Sequence, residues 1–70
     1  MHNPKIRLVE KIYLENTEVV DDFKILVDDL KLKFIPRVGE KVAYNAKIYV
    51  VESITHNIDC EFVDIYVKEK

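Results

Sequence analysis

The turn sequence Pro36-Arg37-Val38-Gly39-Glu40 contains the only glycine of this 70-residue chain. Proline pre-sets φ at one turn position, and glycine is available wherever the turn needs a positive φ. Because the residue before a proline favours extended conformations, the apolar run that reaches Ile35 has to end at this corner. The sequence therefore predicts a sharp turn between two strands at residues 36–40, and the rest of the second half must be compatible with it.

Apolar and polar residues alternate on both sides of this turn, which is the pattern of half-buried β-strands. One strand is predicted over residues 30–35. Residues 41–44 and 47–56 form the arms of a predicted hairpin around Asn45-Ala46, although alanine adopts the left-handed conformation of such a turn poorly. The alternation shifts at Glu52-Ser53, which predicts a β-bulge. A last strand is predicted over residues 60–68.

The first half of the chain is less uniform. Residues 5–14 alternate, so a strand is predicted there, with a bend or bulge near Val9-Glu10. Residues 18–29 fit two structures. A helix would place an apolar stripe including Phe23 and Val27 on one side, whereas a strand would alternate Phe23, Ile25 and Val27 before an Asp-Asp turn. The pattern does not decide between the two.

These elements predict one small, mainly β domain over residues 1–70. We expect an antiparallel meander that curls into a partly open SH3-like barrel, with or without one short helix within residues 18–29. A chain this short supplies one hydrophobic core at most, and small domains often need further support. Because Cys60 is the only cysteine, it cannot form an internal disulfide. A reducing intracellular setting fits this composition, and self-association is the remaining source of support.

The charge distribution bears on the partners. The chain has 11 basic and 13 acidic residues, interleaved, and a formal net charge of -2. It lacks the basic field that phosphate contacts require, so nucleic acid is not an expected partner. No apolar stretch approaches the length of a membrane span, and the N-terminus has no apolar signal-peptide core. We expect a cytoplasmic protein that does not associate with a membrane.

Three segments carry a resemblance: Phe34 to Val42, Ile48 to His56, and Asp64 to Val67. They resemble a group of small uncharacterised bacterial and phage or prophage proteins, which have a PRVGE turn, a Y-V-x-x-V-x-H strand and a closing hydrophobic strand. The resemblance covers roughly the last forty residues. It implies a small, partly open β-barrel of bacterial or mobile-element origin, and it implies no particular activity. This chain departs from the group between Glu15 and Asp29.

The sequence contains no spacing typical of a catalytic, metal-binding or cofactor site, so we expect a non-enzymatic protein without a cofactor. His56 is the strongest single candidate because histidine titrates near neutral pH, but a metal site needs further ligands and His2 is the only other histidine. A structural role at a turn is favoured for His56. Cys60 lies between Asp59 and Glu61, whose charges disfavour a reactive thiolate, and a packing role is favoured.

The candidate binding residues are Arg37, Tyr44, Tyr49, His56, Asp21, Asp22, Asp28 and Asp29. Arg37 could bind a carboxylate or phosphate from the rigid corner, although an ion pair with Glu40 is the favoured role. Tyrosines are enriched in protein interfaces, yet we expect at least half of the four to lie in the core. In a helix the four aspartates would cluster and could bind a cation or mimic phosphates. A solvated polar surface is the simpler explanation.

The expected function is a non-enzymatic protein-interaction module with a protein partner. Its specific version, suggested by the resemblance, is a phage- or mobile-element-encoded inhibitor of a host defence protein. The alternative is a homo-oligomeric protein that binds or sequesters a small ligand between subunits through Arg37 and tyrosines. A third hypothesis, an enzyme that uses His56 and carboxylates, would need another polar group beside His56.

Overall fold

The computed structural model describes residues 5–70. Five strands form one sheet in the order β2-β1-β5-β4-β3. Their bounds are β1 Lys5–Tyr13, β2 Val20–Val27, β3 Lys41–Tyr44, β4 Lys47–Asn57 and β5 Phe62–Glu69. The mainly β fold is confirmed, and the segment that fitted either a helix or a strand is the strand β2. The predicted strand over residues 5–14 is also confirmed as β1.

The sheet is a partly open barrel. β3, β4 and β5 form the part of the predicted antiparallel meander that follows the Pro-Gly turn, and β2 pairs antiparallel with β1. β1 pairs with β5 in parallel, so the sheet is mixed rather than wholly antiparallel. In an up-and-down series of five strands the first and last run in the same direction, so the pair that joins them is parallel. The two edges, β2 and β3, are not hydrogen-bonded to each other. A side chain bridges this gap, since the Tyr44 hydroxyl donates to the Leu26 carbonyl at 3.3 Å.

Register shifts appear at both predicted positions, and a further shift that the sequence did not predict lies between Ile12 and Tyr13. The β1–β2 register shifts between Leu8 and Val9, and the β4–β5 register shifts between Val51 and Ser53. The second bulge allows Ile54 to pack against the same core as Val51. The hairpin turn has positive φ at both central positions, 52° at Asn45 and 65° at Ala46. Both bulges and the hairpin turn are therefore confirmed.

The core lies between the facing strands of the barrel. Its fully buried members are Leu8, Tyr49, Val51, Ile65 and Val67. They come from β1, β4 and β5, the three strands that have a neighbour on each side. Partly buried residues of β2 and β3, including Val27 and Val42, pack against this cluster. The three central strands therefore supply the buried core, and the edge strands β2 and β3 pack against it.

The strand predicted over residues 30–35 is wrong. Residues 28–40, here called the β2–β3 loop, connect the two sheet edges without forming a strand. Alternation shows only that side chains could share a face, whereas a strand also needs a neighbour with free backbone groups. Along most of their length β1, β4 and β5 are already paired on both sides, and the loop bonds to them at Ile6 and Val51, just beyond the ends of β2 and β3. The loop therefore crosses the molecule without a ladder of its own.

Candidate functional site

The β2–β3 loop is fixed to the sheet at both ends. Near its start, the Leu30 N–H donates to the Ile6 carbonyl at 2.7 Å. Near its end, the Gly39 N–H donates to the Val51 carbonyl at 2.8 Å, and the Val51 N–H donates to the Glu40 carbonyl at 2.9 Å. These bonds attach the loop to β1 and to the buried part of β4. The loop is also longer than the roughly four to six residues of a typical connection.

The Pro-Gly corner closes the loop by hydrogen bonds within the turn. Gly39 has φ of 93°, as the turn sequence predicts. The Glu40 carboxylate accepts the Arg37 N–H at 2.5 Å, and the Glu40 N–H donates to the Arg37 carbonyl at 3.0 Å. The predicted Arg37–Glu40 ion pair is wrong, since Glu40 braces the corner through the Arg37 backbone instead. Among residues 5–70 the Arg37 guanidinium has no ion-pair partner, and the side chain is exposed.

Between its two attachments the loop exposes apolar side chains. Phe34 is 84% exposed and Val38 is 63% exposed, and Leu32 is also exposed. Basic residues Lys31, Lys33 and Arg37 are interspersed with them, and residues 31–38 contain no acidic residue. This segment therefore carries +3, and the remainder of the chain carries -5, since the total is -2. Residues 31–38 are therefore a basic, apolar stretch of a loop that is neutral over residues 28–40, because Asp28, Asp29 and Glu40 balance the three cations.

A cleft of about 590 Å³ lies at the root of this loop. The Ile6, Leu30 and Leu32 side chains supply its apolar lining, and Lys5 and Lys33 add positive charge. Lys31 also lines it, but its ammonium lies 3.2 Å from the Asp29 carboxylate. The cleft therefore combines an apolar floor with three lysines and one carboxylate, that of Asp29. Its size falls within the range of small-ligand sites.

Two of the predicted binding tyrosines, Tyr44 and Tyr49, meet at the gap between β2 and β3. They line a small cleft of about 180 Å³, together with Lys24, Glu10 and others. Tyr49 is only 3% exposed and belongs to the core, so its main role is packing rather than binding. Tyr44 is exposed at the rim of the cleft. Arg37 is not among the lining residues, so this cleft does not combine Arg37 with tyrosines.

The four aspartates do not form the cluster that a helix would have produced. Asp21 and Asp22 lie on β2, whereas Asp28 and Asp29 lie beyond its end. Residues seven positions apart in an extended chain are separated by about 23 Å. Asp22 accepts the Phe23 N–H at 2.8 Å, and Asp29 pairs with a lysine. Within residues 5–70 no three His, Cys, Asp or Glu side chains are grouped to hold a metal ion.

The remaining polar candidates lie at the β4–β5 end of the sheet. His56 is exposed near the end of β4, where it is opposite Val63. Cys60 is exposed in the β4–β5 turn, so its predicted packing role is wrong. Its backbone N–H donates to the Asn57 side-chain carbonyl at 3.1 Å, which caps the turn. His2 lies outside the described residues.

A bidentate ion pair between Arg7 and Asp64 was not predicted from the sequence. The Arg7 guanidinium donates to both carboxylate oxygens of Asp64, at 2.6 and 2.9 Å, and lies 4.4 Å from the centre of the Phe62 ring. The hydrogen bond to Asp64 raises the pKa of Arg7 above its ordinary value, so Arg7 remains charged. The sequence contains no signal for this pair, because alternation does not reveal that β1 and β5 are neighbours.

No protein-family model matches the chain, and no curated protein or solved structure matches it significantly. Within residues 5–70 there is no helix long and apolar enough to cross a membrane. Function therefore has to be inferred from the surfaces that the strands and loops present.

Proposed function

We propose that this chain is a non-enzymatic protein-interaction module whose binding element is the β2–β3 loop. The observation that carries the proposal is the exposure of Phe34, at 84%, in a loop that is hydrogen-bonded to the sheet at both ends. A loop whose ends are fixed loses less conformational freedom on binding than a free one. Aromatic and arginine side chains dominate binding energy in protein interfaces, and this loop presents Phe34 and Arg37 together.

The charge of residues 31–38 defines the partner. Residues 31–38 carry three positive charges beside the apolar side chains. The complementary surface is an apolar pocket that accepts Phe34, with acidic residues at its rim. Arg37 is free to bind a rim carboxylate in a bidentate manner, because Glu40 is occupied by the backbone of the turn. Rim charges of this kind accelerate association and select among partners.

The specific version of the proposal is that the partner is a host defence protein and that the chain inhibits it by occupying an interface. This version rests on the expected resemblance to phage and prophage proteins. It would act in the cytoplasm of a bacterium or an infected host cell. Neither nucleic acid nor a membrane is needed for this activity.

The test compares four tagged proteins in capture from bacterial lysate: the wild type, Phe34→Ala, Arg37→Glu and Ile58→Ala. Ile58 is the matched control because it is 86% exposed but lies in the β4–β5 turn, where its near neighbours are acidic. A partner recovered by the wild type and by Ile58→Ala, and lost with Phe34→Ala, supports the loop as binding element. Equal recovery by all four proteins, or no specific partner, contradicts it.

Phage challenge tests the inhibitory version. Cells that carry a defence system and express the wild type should become sensitive to phage, whereas cells that express Phe34→Ala should stay resistant. Sensitivity that is equal with both proteins would show that the loop is not responsible. Circular dichroism of each variant provides the folding control.

A second candidate function is supported by the lysine-lined cleft at the root of the loop. Its volume and its cationic, apolar lining suit a small anion with an apolar part. Titration with octanoate and with inorganic phosphate, followed by backbone amide NMR, distinguishes this function from the first. Shifts at Ile6, Leu30 and Lys33 that saturate with octanoate would favour ligand sequestration, and shifts that never saturate would exclude it.

A further inference from the structure

The free edge of β2 has a defined direction that follows from the bonds of β1. The Lys5 N–H donates to the Glu61 carbonyl, on the side of β5, at 3.0 Å. The Ile6 carbonyl accepts from Leu30, on the opposite side, at 2.7 Å. Successive residues of a strand direct their backbone groups to opposite sides. Odd-numbered residues of β1 therefore bond towards β5, and even-numbered residues bond towards β2.

This alternation determines which backbone N–H and C=O groups of β2 face away from β1. Phe23 is opposite Lys11 and Ile25 is opposite Val9, and both of these β1 residues bond towards β5. The backbone N–H and C=O groups of Phe23 and Ile25 consequently face away from the sheet. The Phe23 N–H confirms this direction, because it donates to the Asp22 side chain at 2.8 Å.

The side chains along the same edge are apolar and exposed. Phe23 is 54% exposed and Ile25 is 53% exposed. Phe23 packs edge-on against the Tyr66 ring, with 5.7 Å between ring centres, so it has a fixed position on the sheet surface. An edge strand that combines unpaired backbone groups with exposed apolar side chains is a template for another strand.

Among two-fold axes at Asp22, Phe23 and Lys24, the axis at Phe23 makes the sequence of β2 complementary to itself. Two antiparallel copies related by a two-fold axis pair symmetrically about a single residue. An axis at Asp22 places two aspartates opposite each other, and an axis at Lys24 does the same with two lysines. Directly opposed like charges are destabilising. An axis at Phe23 places each Asp22 opposite Lys24 of the other copy, twice, and the two Phe23 rings opposite each other.

We infer that a second copy of this chain occupies the free edge of β2, antiparallel and in the register centred on Phe23. The Phe23 N–H then bonds to the carbonyl of Phe23 of the second copy, which releases the Asp22 carboxylate to pair with Lys24. The bond from Tyr44 to Leu26 limits the free edge to the residues before Leu26. This inference is independent of the β2–β3 loop.

Charge exchange tests the register. Sedimentation analysis over a concentration series should show a monomer–dimer equilibrium for the wild type. Asp22→Lys should weaken the dimer about tenfold, because both attractive pairs become repulsive, and adding Lys24→Asp should restore it. Asp59→Lys makes the same charge change in the β4–β5 turn and should have no effect. A monomer at all concentrations, or a dimer that ignores the exchange, would overturn the inference.

Disulfide trapping gives a second, geometric test in a Cys60→Ser background. In a hydrogen-bonded antiparallel pair opposite Cα atoms are about 5.5 Å apart, within the range of a disulfide. Phe23→Cys should therefore form a covalent dimer rapidly on oxidation. Ile25→Cys is the control, since the proposed register places Ile25 opposite Asp21 rather than opposite itself. Equal trapping at both positions would contradict the register.

The loop variant separates this inference from the proposed function. Phe34→Ala should leave the dimer unchanged while it abolishes capture of a partner. If no dimer forms but capture still depends on Phe34, the pairing of β2 is wrong and the interaction module stands. If the dimer forms and capture is insensitive to Phe34, the reverse holds.

Discussion

Arg7 of β1 binds both carboxylate oxygens of Asp64 on β5, at 2.6 and 2.9 Å. The two residues are direct partners in the parallel β1–β5 pair, so the bond spans the junction between the first and last strands. Asp64 is only 6% exposed, and the Arg7 guanidinium also covers the Phe62 ring. A bidentate pair of this kind fixes geometry as well as contributing energy. It therefore fixes the strand register at this junction.

Arg7→Ala should destabilise the fold by about 3 kcal/mol, because it leaves the Asp64 carboxylate buried without its partner. Arg7→Lys should cost less, since it keeps the charge but loses the second bond and the stacking on Phe62. Urea unfolding measures both differences. The double variant Arg7→Met with Asp64→Leu is the control and should lie close to the wild type. A stability of Arg7→Ala equal to that of the wild type would contradict a stabilising role for the pair.

Tyr13 should ionise at a higher pH than an ordinary tyrosine. Its hydroxyl donates to the Glu52 carboxylate at 2.8 Å, and this bond is the main cause that raises the pKa of Tyr13, with desolvation and the Glu52 charge adding to it. A raised pKa means that folding favours the protonated phenol. The stabilisation is therefore complete below the unfolded pKa of about 10 and is lost as the pH rises through the folded pKa.

Carbon-13 NMR of labelled tyrosine rings measures this titration, with Tyr13→Phe to assign the signal. Glu52→Gln keeps an acceptor but removes the charge, so the pKa of Tyr13 should fall towards its ordinary value. Glu61→Gln changes a carboxylate in the β4–β5 turn and should leave Tyr13 unaffected. An unchanged Tyr13 titration in Glu52→Gln would show that Glu52 does not cause the shift.

The elements that local signals determine were predictable from the sequence. The hairpin at Asn45-Ala46, the bulge beside Ser53 and the positive φ of Gly39 each follow from a few adjacent residues. The segment that became β2 was ambiguous because the same apolar residues satisfy a helical stripe and a strand face. The pairing of β1 resolves this ambiguity. On the side away from β5, the backbone N–H and C=O groups of β1 need partners, and an extended segment supplies them.

The errors concern contacts between distant parts of the chain. Residues 30–35 alternate as a strand would, but the central strands are paired on both sides along most of their length, and this segment reaches β1 through the bond from Leu30 to Ile6. The Arg7–Asp64 pair depends on the parallel β1–β5 junction, which no local pattern reveals. Phe34 is exposed in this segment, whereas Leu30, beside the bond to β1, packs against the core. The candidate site therefore lies in the segment for which the sequence predicts a strand and the structure shows a loop.

Ala46→Gly should stabilise the protein by about 0.5 to 1 kcal/mol. Ala46 has φ of 65° in the β3–β4 turn, a conformation that costs an alanine roughly 1 to 2 kcal/mol and costs glycine almost nothing. Part of this gain is offset by the greater freedom of glycine in the unfolded chain. Thermal unfolding measures the change. Ala43→Gly, in β3, is the control and should lower stability, so a decrease for both variants would contradict strain at Ala46.

Tyr49 and Tyr44 should contribute very differently to the stability of the fold, although both line the cleft between β2 and β3. Tyr49→Ala removes a core ring and should cost about 3 to 5 kcal/mol. Tyr49→Phe should be nearly neutral, because the Tyr49 hydroxyl has no hydrogen-bond partner within residues 5–70. Since every fully buried side-chain polar atom in this part of the chain has a partner, this hydroxyl reaches solvent. Tyr44→Phe loses one exposed bond to Leu26 and should cost less than about 1 kcal/mol. Urea unfolding of the three variants tests this order, and a large loss in Tyr49→Phe would show that its hydroxyl, rather than its ring, stabilises the barrel.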